Sequence, residues 1–224
     1  KATDYYTTAW GYNTEATADN ATAWGEDTKA TDDYTTAWGY NTQATDDNAT
    51  AWGEDTKATA YYATAWGEDT EATGYAATAW GLNTEATAAY TTAWGLSTEA
   101  TDQYATAWGE STEATANNAT AWGGDTKATG NYATAWGAST IASGTYSTAF
   151  GRETSAESYG QTTIGTYNTT QTGNATNFVA GDRLLVVGNG TNFSERSDAL
   201  VILKDGTTTL NGALTINTTS TTAS

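Results

Sequence analysis

Large apolar residues and polar residues alternate along this chain with a fixed period. A Thr-Ala-Trp-Gly segment places one tryptophan at Trp10, the next at Trp24, and one in each later period up to Trp136. Self-similarity at a fixed period predicts a stack of structural repeats, in which each repeat buries its apolar face against its neighbours. The complete row of large apolar residues is Trp10, Trp24, Trp38, Trp52, Trp66, Trp80, Trp94, Trp108, Trp122, Trp136, Phe150 and Ile164.

The composition of each 14-residue period favours strands over helices. A period of 14 residues also equals two heptads, the repeat of a coiled coil. However, every period contains glycine and several threonines, which form helices poorly, and none has the sustained apolar seam that a coiled coil needs. An even period suits strands, because alternating side chains then keep the same face from one repeat to the next. In one representative period, 21–24 and 28–31 are the predicted strands, and Gly, Asn and Asp mark the turns between them. We predict an all-β chain, a parallel β-roll of 14-residue coils.

Alternation also predicts which side chains fill the interior of the roll. The position of Lys29 carries Glu, Lys or Gln in most coils and should face water, so its neighbours Thr28 and Ala30 should face inward. Both are small, and a core needs bulk from its opposite wall. We therefore expect the tryptophan row, with Phe150 and Ile164, to form the core ladder, and Ala23 to lie on the outer face.

The repeat weakens after residue 150, and the composition changes near residue 174. Apolar runs at 178–181, 184–188, 199–203 and 207–216, separated by Gly, Asn and Asp, predict further strands. We divide the chain into a repetitive roll at 1–166, a β-rich connector or cap at 167–216, and a Thr/Ser-rich linker at 217–224.

Charge and composition exclude several classes of function. The formal net charge is −18, which disfavours nucleic acid and anionic membranes as partners. The sequence has no Cys and no His, and its carboxylate pairs recur in every coil instead of marking one pocket. We expect neither enzyme activity nor a cofactor or metal site, and no apolar run is long enough to insert into a membrane. Calcium at acidic turns such as Glu54-Asp55 is an alternative to solvated charge.

The segment Ala21-Thr22-Ala23-Trp24-Gly25-x-x-Thr28-x-Ala30 resembles the YadA-like head of trimeric autotransporter adhesins. That family's coil reads roughly Ser-Val-Ala-Ile-Gly-x-x-Ser-x-Ala-x-Gly, and this chain departs from it by tryptophan in place of isoleucine. The resemblance covers about residues 1–166 and implies a left-handed β-roll, a homotrimer and an extracellular or cell-surface fibre that binds host or matrix molecules. The stretch 181–204 looks like segments of tail-fibre-like proteins.

We therefore expect an adhesive fibre segment whose receptor, glycan or surface is unknown. The alternatives are an ice- or mineral-binding solenoid, because flat threonine arrays match such lattices, and the fibre of a secreted phage tail-like particle. Two alternatives for the tryptophan row are an exposed glycan platform and a position facing a trimer axis. Candidate surface contacts are the tyrosines near coil edges: Tyr12, Tyr40, Tyr62, Tyr90, Tyr104 and Tyr132.

Overall fold

The computed structural model describes residues 1–214, and these form a parallel β-solenoid followed by a short antiparallel extension. Each coil contributes one five-residue strand and one two-residue strand. The long strands are β1 (Thr8–Tyr12), β3 (Thr22–Glu26), β5 (Thr36–Tyr40), β7 (Thr50–Glu54), β9 (Thr64–Glu68), β11 (Thr78–Leu82), β13 (Thr92–Leu96), β15 (Thr106–Glu110), β17 (Thr120–Gly124), β19 (Thr134–Ala138), β21 (Thr148–Arg152) and β23 (Thr162–Thr166).

The short strands alternate with the long strands and form a second sheet. They are β2 (Glu15–Ala16), β4 (Lys29–Ala30), β6 (Gln43–Ala44), β8 (Lys57–Ala58), β10 (Glu71–Ala72), β12 (Glu85–Ala86), β14 (Glu99–Ala100), β16 (Glu113–Ala114), β18 (Lys127–Ala128), β20 (Ile141–Ala142) and β22 (Ser155–Ala156). This sheet has 11 strands, and every pair in it is parallel and offset by one coil. The predicted parallel β-solenoid of 14-residue coils is therefore confirmed.

The interior of the solenoid is lined by small side chains from both sheets. Ala23 on the long strand, Ala30 on the short strand and Thr28 before it are all 0% exposed, and their equivalents repeat along the array. By contrast, Trp66 is 41% exposed and points away from this core. The prediction that the row from Trp10 to Ile164 forms the core ladder is therefore wrong for the single chain.

The physical reason for this inversion is the distance between the two walls. Side chains alternate along a strand, so Ala23 and Trp24 must lie on opposite faces, and either face satisfies the parity argument. Because alanine and threonine line both walls, the walls approach until these small residues fill the space, and no room remains for an indole. Bulk from the opposite wall is unnecessary when the two walls are this close.

Residues at positive φ close both turns of each coil. The first turn has Asp27 at φ 55°, and the second has Tyr34 at φ 59°. Asn, Asp and Ser occupy most of the first-turn positions, as expected for left-handed backbone, whereas tyrosine is frequent at the second. Each turn also pairs with the coil before it, since the Tyr34 amide donates to the Asp19 carbonyl.

The extension continues the long-strand sheet, which reaches 15 strands. Strand β24 (Arg183–Asn189) is parallel to β23, and β25 (Asp198–Leu203) and β26 (Thr208–Leu210) follow as antiparallel strands. Val186 enters the core at the position of the coil alanines and is 0% exposed. The predicted strands near 184–188 and 199–203 are confirmed. Residues 178–181 form no strand, β26 is shorter than predicted, and the predicted linker at 217–224 lies outside the described residues.

Candidate functional site

The tryptophans form one continuous stack along the outer face of the long-strand sheet. Strict in-register pairing aligns each indole with the next, as Trp66 does with Trp80. Neighbouring ring centroids lie 4.8 to 5.4 Å apart, and the ring planes differ by only 2° to 6°. Phe150 continues the row 4.6 Å from Trp136 at a tilt of 32°, and Ile164 and Val187 follow it in register.

The exposed area of this row is large for a single chain. Most of the indoles are about 41% exposed, as Trp66 and Trp108 are. A tryptophan side chain has about 250 Å² to bury, so ten of them leave roughly 1,000 Å² of aromatic surface open to solvent. The largest apolar patch on a typical monomer is about 300–600 Å². A contiguous strip of this size is typical of a surface that another molecule covers.

A row of threonines lies beside the indoles on the same outer face. Thr64 and Thr78 pair in register, and the equivalent position is threonine in every long strand from Thr8 to Thr162. The third outward position of each strand is mixed, with Glu68 beside Leu82. The outer face therefore carries one threonine row, one indole row and one variable row. Because alternation puts Thr22 on the same face as Trp24, an interior tryptophan row would have required these threonines to be interior as well.

The candidate tyrosines lie on two separate surfaces. Tyr12 and Tyr40 are the last residues of β1 and β5, where they belong to the variable row beside the indoles. Tyr62, Tyr90, Tyr104 and Tyr132 lie in the second turn at positive φ, about half exposed.

Two further tyrosines in the second turn, Tyr61 and Tyr75, are absent from the predicted surface contacts. Tyr61 and Tyr75 stand one residue earlier in the turn than the predicted tyrosines, and their rings are stacked with centroids 5.7 Å apart. Comparing positions one coil apart, rather than neighbours along the chain, would have found them.

The face of the short strands carries a charged ladder. Lys57 binds Glu71 with an Nζ–Oε1 distance of 2.5 Å, and this hydrogen bond is the main cause of the raised pKa of Lys57. Lys127 binds Glu113 in the same way at the other end of the glutamate run. The two central glutamates, at 85 and 99, pair in register with each other. The lysines thus relieve the like-charge repulsion only at the two ends of the run.

Polar side chains close the interior at the end of the last coil. The Asn168 side chain accepts from the Ser155 amide at 2.8 Å and donates to the Ser155 carbonyl at 3.1 Å, and so replaces a further strand of the short-strand sheet. Gln161 is 2% exposed and accepts from two backbone amides, those of Glu157 and Ser158. These bonds satisfy backbone groups that would otherwise end unpaired.

A buried ion pair links strands β24 and β25 within the extension. Arg183 and Asp198 are 3.2 Å apart at side-chain exposures of 10% and 4%, and Arg183 also donates to the Thr169 side chain at 2.7 Å. The adjoining depression is lined by Gln171, Val201 and other residues of the extension. The charged residues that line the depression, Arg183, Arg196 and Asp198, all take part in ion pairs, so we assign this region to fold closure.

Within residues 1–214, no group of three or more Asp and Glu side chains is arranged to hold a metal ion. The same residues include no helix long and apolar enough to cross a membrane.

Comparison with known families agrees with this architecture. The model of the YadA head domain repeat, which spans two copies of the repeat, matches residues 2–25, 16–42, 30–53 and 128–154. Among curated proteins, no sequence matches the chain. The matched segments begin and end within the stacked coils, at both ends of the array, and the unmatched coils between them keep the same strands and register. The stacked coils of this chain are therefore similar to the YadA head domain repeat in the matched segments.

Proposed function

We propose that this chain is a structural and adhesive segment of an extracellular, cell-surface fibre in which three copies pack around a common axis through their tryptophan rows. The observation that carries the proposal is the exposed strip of about 1,000 Å², which exceeds the roughly 800 Å² that one partner contributes to a stable interface. The YadA-like repeats support a trimeric fibre of the adhesin type.

The adhesive role follows from the physics of such a rod. Coils stack at about 4.8 Å each, so the solenoid is a stiff rod about 55 Å long with repeated side chains along every face. Three parallel copies present each surface motif three times, which raises avidity without new contacts. A weak contact on one coil edge therefore becomes effective when it is multiplied along and around the fibre.

The test is the mass of the purified chain in solution by light scattering. We expect three chains, with indole emission typical of buried tryptophan. Replacing Trp66 and Trp80 with serine should weaken the assembly toward single chains and leave the far-UV spectrum unchanged, because neither indole lies in the roll interior. Tyr12→Ser is the control at the rim of the face and should keep three chains. One chain for the unaltered protein contradicts the trimer.

A second candidate function is binding to ice or another crystalline surface. The unbroken threonine row beside the indoles favours it, because this row is flat and regular on the sheet's outer face. Both functions need the same face, so trimerisation would hide the threonine row. Thermal hysteresis by a single-chain form supports the second candidate, and a trimer without thermal hysteresis rejects it. Thr78→Tyr is the matched disruptive variant.

A further inference from the structure

Five tyrosines form a contiguous aromatic surface on the second-turn edge, formed by different residues of the coil from those of the tryptophan row. We call this surface the tyrosine patch, and it comprises Tyr61, Tyr62, Tyr75, Tyr90 and Tyr104. Tyr61 stacks on Tyr75 with centroids 5.7 Å apart, Tyr75 meets Tyr90 edge to face at 5.4 Å, and Tyr90 stacks on Tyr104 at 5.1 Å. Four of the five side chains are 44% to 54% exposed.

A row of aspartates, one per coil, continues the patch along the same edge, and we call it the aspartate file. Asp19, Asp33 and Asp47 occupy in earlier coils the position that Tyr61 and Tyr75 occupy later. The Asp33 Oδ1 accepts from the Asp19 amide at 3.0 Å, and the Asp47 Oδ1 accepts from the Asp33 amide at 3.2 Å, so the carboxylates are held in line. The Tyr62 amide donates to the Asp47 carbonyl, which joins file and patch directly.

No positive charge balances this edge. Before residue 150 the lysines are Lys1, Lys29, Lys57 and Lys127, all at one position of the short-strand face, and there is no arginine. The pKa of Asp47 is raised, first by partial desolvation and then by the Asp32 and Asp33 carboxylates. Within residues 1–214, no ion pair reaches any of these aspartates. Their mutual repulsion is left for a partner to relieve.

We propose that the tyrosine patch and the aspartate file together form a docking surface for an extended, arginine-rich segment of a partner protein. A guanidinium group stacks on tyrosine faces and forms paired hydrogen bonds with carboxylates. Arginine therefore suits both the tyrosine patch and the aspartate file. The coils from Asp47 to Tyr104 span about 20 Å, the length of about six residues of extended chain. A second copy of this chain is a poor occupant, because it has only 8 Lys and Arg residues in all. The inference rests on the proposed adhesive function only in requiring that the fibre has a partner.

The test uses a fluorescent ten-residue peptide of alternating Arg and Ser, with binding to the whole chain followed by anisotropy. Tyr75→Asn with Tyr90→Asn should weaken binding about tenfold, since two exposed cation–π contacts are lost. Asparagine already occupies the equivalent turn positions at residues 131 and 118, so the backbone is preserved. Tyr132→Asn with Tyr146→Asn is the matched control: this pair is also stacked, at 4.9 Å, but lacks neighbouring aspartates, and its loss should leave binding unchanged.

A second pair of variants separates this surface from the general attraction of an acidic protein. Asp33→Asn with Asp47→Asn should weaken binding and reduce its dependence on salt, whereas Glu85→Gln with Glu99→Gln removes the same charge from the short-strand face and should change little. Equal losses from both pairs, or equal binding of a peptide with Lys in place of Arg, would overturn the proposal.

The mass of each variant in solution distinguishes this inference from the trimer. If Tyr75→Asn with Tyr90→Asn changes the number of chains, the patch is a contact between copies and the docking proposal fails. A single-chain protein that binds the peptide through the patch contradicts the trimer and supports the docking surface. A trimer that does not bind the peptide supports the trimer and contradicts the docking surface.

Discussion

At the scale of single residues, the glycine after each tryptophan is the position least open to substitution. Gly81 has φ +134°, and a Cβ atom there would lie 1.9 Å from the Gly95 carbonyl oxygen of the next coil. The glycines therefore let successive coils approach closely enough for the parallel ladder to form. The indole stack depends on this approach, because the ring spacing follows the coil spacing.

We expect Gly81→Ala to lower the free energy of unfolding by at least about 3 kcal/mol, because it combines a strained φ with a backbone clash. Chemical denaturation followed by circular dichroism measures the loss. Gly124→Ala is the control: nothing lies within 4 Å of its added Cβ, and Ala138 occupies the same position one coil later. The control should stay within about 0.5 kcal/mol of the unaltered protein. Similar losses for both variants would contradict this account of the glycine row.

The buried threonines divide into two groups, which occupy different positions of the coil and differ in their hydrogen bonds. The Thr84 hydroxyl is buried and has no hydrogen-bond partner among residues 1–214. The Thr91 hydroxyl, equally buried, donates to the Ala88 carbonyl at 2.6 Å. A buried hydroxyl without a partner carries a desolvation cost, and one with a partner contributes to stability.

Valine should therefore have opposite effects at these two positions. Thr84→Val is expected to raise the free energy of unfolding by about 1 kcal/mol, since a methyl group replaces an unpaired hydroxyl of the same shape. Thr91→Val is expected to lower it by about 1 kcal/mol through the lost hydrogen bond. Thermal denaturation of both variants measures the difference. If both variants change the free energy of unfolding in the same direction, hydrogen bonding does not explain the difference between the two groups of threonines.

At the scale of the elements, the weakest point of a solenoid is its last strand, because that strand has backbone groups with no next coil to pair with. The short-strand sheet ends at β22, and the Asn168 side chain takes the place of the missing strand. The long-strand sheet continues into β24 to β26 instead. The two sheets of one solenoid therefore end by different means.

Removing the side-chain cap should loosen the end of the roll. Asn168→Val leaves the buried Ser155 amide without a partner, whereas the Ser155 carbonyl still accepts from the Thr163 hydroxyl, and we expect a loss of about 2 kcal/mol. Hydrogen exchange should show faster exchange of the Ser155 amide than in the unaltered protein, with little change in the central coils. Asn177→Val, at an exposed residue, is the control and should be nearly neutral. Unchanged exchange at Ser155 in the cap variant would rule out this role for Asn168.

At the scale of the whole molecule, the solenoid is a one-dimensional stack in which each coil contacts only its neighbours. Its length is therefore adjustable in whole coils, and its faces are continuous only if the 14-residue period is preserved. The tryptophan row, the charged ladder and the tyrosine patch are all consequences of that period, since each consists of residues that stand one coil apart.

Deletion of a whole coil should be tolerated. Removing residues 78–91 joins Ala77 to Thr92 in the correct frame, and we expect a folded rod that is about 4.8 Å shorter. Removing 78–90 puts the two parts of the array one residue out of register at the junction of Ala77 with Thr91, and it should prevent the array from unfolding as one cooperative unit. Small-angle scattering and thermal denaturation compare the two. A folded, cooperative 13-residue deletion would contradict the strict requirement for alternation.

The sequence by itself determined the period, the two strands of each coil and their parallel stacking in register. These properties follow from which residues recur 14 positions apart, and a repeated pattern specifies its own neighbours. It also determined the ladder of Glu and Lys, because in-register stacking places Lys57 beside Glu71 once the period is known.

Only the tertiary structure decided which side of each long strand faces the core. Alternation requires Ala23 and Trp24 to lie on opposite faces but is symmetric between the two assignments. The separation of the two sheets breaks that symmetry: with Ala and Thr on both walls the sheets close to alanine contact, and the indoles remain outside. That separation is a property of two segments packed together, so it does not appear in the pattern of either strand alone.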